Sequence, residues 1–281
     1  AASDVYKRQV YALQLGALEC LEHAYLVAQN GVIAGVFQEL PGKYQDAALE
    51  DFGDCLLIPS FTDLHLHAPQ YAMMGMGFDL PLLEWLNTYT FKEEARFADA
   101  GFARTVYEAL ATELVRRGTT RVCMFSSLHR EGTLILMDAL ERAGITGFVG
   151  KVNMDRNSPD CLRETCEESL AQTRRWLDEC AGRYAHIRPI LTPRFTPSCS
   201  DALMEGLGRL AEEYELPVQS HLSENDAEIE WVRTLHPDCE QYWEIYAKFG
   251  LWKRGTIMAH CVHSDVRERA AMRSAGVWVA H

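Results

Sequence analysis

Leu56-Leu57-Ile58-Pro59-Ser60-Phe61-Thr62-Asp63-Leu64-His65-Leu66-His67 is the stretch whose reading decides the fold. An apolar run leads into two histidines separated by one residue, the pattern of a β-strand that ends in chemistry. Residues two apart on a strand share a face, so His65 and His67 point the same way. Two neutral imidazoles side by side can chelate one zinc or iron ion. A pair of partly exposed strand histidines would read the same in isolation. Asp63, two residues before the pair, is placed either to orient one ring from behind or to serve as a surface or capping carboxylate.

Outward from this stretch the chain alternates strand and helix. Candidate strands are 56–67, 119–125, 146–152, 187–192, 217–222, 256–260 and 277–281. Helical stretches lie near 102–117, 131–143, 161–181, 200–214, 225–249 (broken at Pro237) and 265–274. Gly118, Gly144 and Gly276 sit near helix ends, and Pro217 opens a strand, where its missing N–H is tolerated. Such alternation implies a parallel sheet with helices outside. The expected fold class is α/β, a (β/α)8 TIM-type barrel that is incomplete, with about seven strands present. A doubly wound open sheet is the alternative, but it would put a site at a switch point instead of gathering groups from strands one, five and six. Residues 10–58 alternate short apolar runs and turns, among them Tyr25-Leu26-Val27 and Gly31–Phe37, and read as part of a small N-terminal β-sandwich domain. Residues 59–281 are then a barrel lacking its C-terminal end. Residues 1–9 fit no element and stand as a candidate non-native leader.

The bulk numbers narrow the function. The chain has 40 acidic and 27 basic residues, a net charge of −13, which argues against a nucleic-acid backbone or an anionic membrane surface as partner. Nine cysteines show no CxxC pair, which reads as reduced thiols and a cytoplasmic setting. The apolar run Val10–Leu18 after Lys7-Arg8 faintly resembles a signal peptide, but no cleavage site follows. The sequence also lacks H-E-x-x-H, G-x-x-x-x-G-K-[ST] and H-x-E followed by P-C-x-x-C.

Two further histidines end predicted strands: His221 in Gln219-Ser220-His221-Leu222-Ser223-Glu224, and His260 in Met258-Ala259-His260. Each alone fits an ordinary packed histidine. Jointly with His65 and His67 they place imidazoles at three strand ends, where barrel active sites gather. Glu224 sits three residues past His221, where it could carry protons beside a metal-bound water or merely complement a helix N-terminus. Arg194, in Thr192-Pro193-Arg194-Phe195-Thr196-Pro197, is stiffened by flanking prolines and could donate paired hydrogen bonds to a carbonyl or ring nitrogen. Phe195 could stack on a flat ring, and Gln70 could offer donor and acceptor to a heterocycle. Surface and core roles account for Arg194 and Phe195 equally well, and Gln70 by itself is a weak signal.

At these residues the chain resembles the metal-dependent amidohydrolase superfamily and, within it, the guanine deaminases. The superfamily pattern is H-x-H on strand one, His on strands five and six, and Asp on strand eight. His65/His67, His221 and His260 match its first three parts. The runs His67–Tyr71, Asp79–Leu86, Gly150–Asp155, Thr192–Phe195 and Gln219–Asn225 carry the closer likeness. Ser60 stands where the family usually has glycine, and no strand-eight aspartate is present.

The resemblance implies hydrolytic deamination of guanine to xanthine and ammonia, with Zn2+ (Fe2+ as the alternative) held by His65, His67, His221 and the aspartate. Catalysis would fall to Glu224 as proton carrier and His260 as orienter of the attacking water. Gln70, Arg194, Phe195 and His221 would meet the purine, and a homodimer is expected of the full-length protein. As given, residues 1–281 are expected to be inactive. The other readings are an amidohydrolase for another heterocycle (a triazine, an adenine derivative or 8-oxoguanine) and a non-catalytic truncated scaffold.

Overall fold

The structure, a computed structural model, describes residues 3–14 and 17–281, with side chains from Leu21 onward. It divides into two compact units, Ala1–Ser60 and Phe61–His281.

The first unit is one four-stranded sheet of order β3-β2-β1-β4, built from β1 (Ser3–Gln14), β2 (Ala17–Gln29), β3 (Val32–Phe37) and β4 (Ala48–Leu57). β1 and β2 pair antiparallel, as do β2 and β3, while β4 runs parallel to β1. Asn30-Gly31 closes the β2–β3 hairpin with both residues at positive φ (54° and 74°), as a type I′ turn requires. Val27 and Tyr44 are buried among Tyr25, Phe37 and Leu40. The expectation that residues 1–9 fit no element is corrected from Ser3 onward. Ser3–Gln9 belong to β1 because two partner strands supply their hydrogen bonds, which no local pattern reveals; Ala1 and Ala2 lie outside the described residues. The expected strand 56–67 is in fact two. β4 ends at Leu57, Pro59 has no N–H to donate, and the next strand starts at Phe61.

The second unit opens with β5 (Phe61–His67). Short helices α1 (Leu82–Trp85) and α2 (Phe91–Ala95) follow, then α3 (Ala100–Arg116). Next come β6 (Thr119–Phe125), α4 (Arg130–Arg142), β7 (Thr146–Gly150), β8 (Val152–Asn153), α5 (Cys166–Cys180), β9 (Ile187–Pro189) and β10 (Thr192–Pro193). The chain continues through α6 (Asp201–Glu213), β11 (Gln219–Leu222), α7 (Asp226–Leu235), α8 (Tyr242–Lys248), β12 (Ile257–His260), α9 (Val266–Ala275) and β13 (Trp278–Ala280). All strand pairings here are parallel. The ladders β5-β6-β7-β9 and β11-β12-β13 are joined through a bridge between Leu191 and Val218, while β8 and β10 extend β7 and β9 as a short pair. Strands following in chain order with helices between them give the α/β architecture of the barrel type.

Local chemistry sets the helix starts. Asp99, Ser200 and Asp265 accept the N–H three residues on, and Thr165/Glu168 and Asn225/Glu228 form capping boxes. α9 stops at Gly276 in the left-handed conformation. The core between strands and helices is filled by Tyr107, Leu136, Met137, Leu140, Ile145 and Trp176, all fully buried. Gly147, at φ 136°, lets β7 lie against β6: a Cβ there would sit 1.9 Å from the Val122 carbonyl oxygen. Gln219 braces the interior, its amide nitrogen donating to the Met124 carbonyl (2.7 Å) and the Thr192 hydroxyl (2.9 Å). These contacts fix the strand ends that carry the histidines. Among the described residues no helix is long and apolar enough to cross a membrane.

Candidate active site

β5, β11 and β12 bring their histidines together. The ring centroids of His65 lie 5.0, 4.9 and 4.8 Å from those of His67, His221 and His260. His221 lies 5.1 Å from His67 and 5.3 Å from His260. Register explains part of this: His221 faces Ala259 and Leu222 faces His260 across parallel strands, so both strands end at one level. Phe125, at the end of β6, packs 4.5 Å from the His67 ring and 5.1 Å from that of His65.

The donor chemistry fits a cation. His221 Nδ1 lies 2.6 Å from the Arg194 carbonyl oxygen, which can only accept, so Nδ1 carries the proton and Nε2 is left with a lone pair. That Nε2 lies 3.0 Å from His67 Nε2. Ligating atoms of His65, His221 and His260 all fall within 4.8 Å of one another. His67 joins the group through His221. Burial keeps the imidazoles neutral. It lowers His65 to about 3, with help from His260 and Arg194, and His260 to about 4, while His67 and His221 fall well below the ordinary value for the same reason. Neutral nitrogen donors of this kind suit zinc or iron. Asp63 Oδ1 accepts the main-chain N–H of His65 at 3.1 Å and so acts on the strand backbone, not on a ring.

Glu224 reaches the same place from the loop after β11, its Oε2 3.4 Å from His260 Nε2. Burial, then the nearby Glu228 carboxylate, pushes Glu224 up to about 7. Glu228 is buried and accepts the N–H groups of Glu224 (3.0 Å) and Asn225 (3.4 Å) and the Tyr242 hydroxyl (2.8 Å). A second brace ties the loop after β11 to the loop after β12. Cys261 N–H donates to the Leu222 carbonyl and His263 N–H to that of Ser223, both at 2.9 Å, and the Ser223 hydroxyl donates to Glu268 at 3.2 Å. Ser223, His260 and Cys261 all hold positive φ, at 49°, 72° and 52°.

One cavity of about 680 Å³ is lined by all nine residues singled out in the sequence: Asp63, His65, His67, Gln70, Arg194, Phe195, His221, Glu224 and His260. Met74, Met76, Phe78 and Trp85 add an apolar rim. Arg194 and Phe195 are buried, and the Phe195 ring leans edge-on to Trp231 at 6.2 Å. Sequence reasoning missed Phe125 and Glu94. Glu94 is 1% exposed, accepts from Arg194 Nη1 (2.5 Å) and Gln70 Nε2 (3.3 Å), and lies 3.9 Å from His67 Nδ1. A signal was present: Thr90, Phe91, Glu94 and Phe97 recur at helical spacing, and all four are buried. A carboxylate on an apolar stripe needs partners.

The titration of the site sets a stability test. The folded histidines lie below 6.5, so as pH falls from 6.5 toward 4 the unfolded chain takes up protons the folded chain refuses, and stability drops by as much as about 1.4 kcal/mol per pH unit for each buried ring. Glu224, raised above 4.5, acts oppositely and loses stability as pH rises from 4.5 to about 7. Asp63, Glu228 and Glu268 are raised as well, but less than the four imidazoles are lowered, so the imidazoles outweigh the carboxyls. The urea midpoint of the metal-free protein is therefore expected to be lower at pH 5.0 than at pH 7.5; equal midpoints would contradict the neutral cluster.

Comparison with known proteins bears on this geometry. The amidohydrolase family model matches residues 56–280. A guanine deaminase of Dictyostelium discoideum is 38% identical over 294 residues, an alignment taking in 97% of this chain and 64% of that protein. The crystal structure of a guanine deaminase from C. acetobutylicum with bound guanine in the active site is 42% identical, with TM-score 0.95 over 99% of this chain and 67% of that one. A mutant atrazine chlorohydrolase from Arthrobacter aurescens, complexed with zinc and atraton, is 17% identical with TM-score 0.85 and shares the fold, the match covering 98% of this chain and 64% of that one. The chain thus spans about two thirds of the length of these relatives. With the family model covering most of its residues and the histidines at the expected strand ends, the chain belongs to the amidohydrolase family.

Proposed function

We propose that the protein catalyses the hydrolytic deamination of guanine to xanthine and ammonia, as the guanine deaminases similar to it are named for doing. The observation that carries the reading is the meeting, in one cavity, of a neutral histidine cluster with Glu224 on one side and Gln70, Arg194 and Phe195 lining the same space. His65, His67 and His221 would hold Zn2+, with His260 beside them. A zinc ion bound there supplies a water acidic enough to act as nucleophile near neutral pH.

The chain's own residues then have definite tasks. Glu224 is raised to about 7 in the metal-free protein, and as a buried carboxyl beside the ion it would take and give a proton. It accepts the proton released as water oxygen bonds to the guanine carbon that bears the amino group, and delivers it to the ring nitrogen. Glu224 then moves the proton of the new hydroxyl group to the amine, so that the carbon–oxygen double bond forms as the carbon–nitrogen bond breaks and ammonia leaves. His260, 3.4 Å from Glu224, orients the attacking oxygen and steadies the tetrahedral centre. Arg194 donates to the purine carbonyl, Gln70 meets the ring edge, Phe195 packs on its face, and His221 closes the site from the ion's side.

The direct test is xanthine formation from guanine by the complete polypeptide reconstituted with zinc. Arg194→Ala separates guanine from other heterocycles. It is expected to lower kcat/KM for guanine by about 10²-fold, because a charge-assisted hydrogen bond of roughly 1.5–3 kcal/mol is lost. An unchanged value would mean that Arg194 does not read the substrate.

A further inference from the structure

Glu94 has no place in the chemistry proposed above, yet it touches three of its residues. It lies on α2, is 1% exposed, and carries a carboxylate into the wall behind the cavity. Its Oε2 accepts from Arg194 Nη1 at 2.5 Å and its Oε1 from Gln70 Nε2 at 3.3 Å. The same Oε1 lies 3.9 Å from His67 Nδ1, a buried nitrogen with no hydrogen-bond partner among the described residues. Arg194 is itself 3% exposed and sits with its guanidinium 5.3 Å from the centre of the Phe91 ring, on the same short helix as Glu94.

We infer that Glu94 is a positioning residue that fixes the donor–acceptor polarity with which Arg194 and Gln70 meet the substrate. An ionised carboxylate only accepts hydrogen bonds. It therefore compels the amide nitrogen of Gln70 to turn toward it, leaving the amide oxygen as the end free to accept from a ligand. It takes one donor of Arg194 and aligns the plane of the rest. An arginine offers five donors in a rigid fork, so the remainder stay available, directed at a carbonyl. A purine with a carbonyl on one edge and an N–H beside it matches that pair. A purine with no carbonyl leaves Arg194 buried without its acceptor, which is where discrimination is strongest. The inference rests on the reading of the substrate as guanine and adds how the site tells it from related rings.

The test compares guanine with 2-aminopurine, which has the amino group but no carbonyl, in the complete zinc-loaded protein. Zinc content and melting temperature are recorded beside the kinetics. Glu94→Gln can both donate and accept, so it releases the orientation of Gln70 and removes the charge that holds Arg194. The expected result is a rise in KM for guanine of tenfold or more, a smaller change in kcat, and little change for 2-aminopurine, so that the preference for guanine falls at least tenfold while zinc stays bound. Equal losses on both substrates would show a merely structural role and overturn the inference, as would unchanged preference. Should Glu94→Gln fail to fold, Glu94→Asp retains the charge but withdraws it by one methylene, and the same change in preference is expected. If the unsubstituted protein does not turn over guanine at all, it is the functional reading that fails, a result distinct from either of these.

Discussion

Glu224→Gln is expected to lower kcat for guanine by about 10²–10⁴-fold while leaving the zinc content of the protein unchanged. The amide keeps the size and the loop geometry, since the bonds that set the loop run from main-chain N–H groups to Glu228 and not through the Glu224 side chain. What it loses is the exchangeable proton. Burial and the Glu228 charge raise the Glu224 carboxyl in the metal-free protein, and only a carboxyl, not an amide, can take and give that proton. Rate assays beside metal analysis check the point. A variant that loses zinc and activity together would place Glu224 among the ligands; one that keeps full activity would remove it from the mechanism.

His221→Ala is expected to have an effect at least as large, on the order of 10⁴-fold in rate, equivalent to about 5 kcal/mol of barrier. Here zinc should be lost as well. His221 Nε2 lies 3.0 Å from His67 Nε2, while its Nδ1–H is anchored on the Arg194 carbonyl. Truncation would remove a proposed zinc ligand and leave that buried carbonyl without its donor, so about 1–3 kcal/mol of stability should go too. Zinc titration followed by calorimetry and urea unfolding of the metal-free variant measure the two losses separately. A variant still holding one equivalent of zinc as tightly as before would dismiss His221 as a ligand.

Much of this was legible in the sequence because strand and helix periods differ and barrels place chemistry at strand ends. His65, His67, His221 and His260 stood at the ends of apolar runs, and the fold brought them into contact. The break at Pro237 was also readable: α7 ends at Leu235 and α8 begins at Tyr242. Less legible was residues 82–98, where short helical pieces follow one another with no single period. Glu94 lies in that stretch next to Glu93, and nothing about either residue by itself says which one is buried; only the phase of the helix relative to Phe91 and Phe97 does. Ser3–Gln9 were illegible for another reason, since their strand is specified by partners rather than by local alternation. Asp63 was readable as a neighbour of the histidines but not as a ligand of the main chain, because register decides where its oxygen points.

The left-handed backbone at Ser223, His260 and Cys261 costs roughly 1–3 kcal/mol per residue, and the hydrogen bonds between the two loops hold it in place. The two loops that carry Glu224 and His260 therefore share one set of hydrogen bonds, and neither can change its conformation without breaking bonds made by the other.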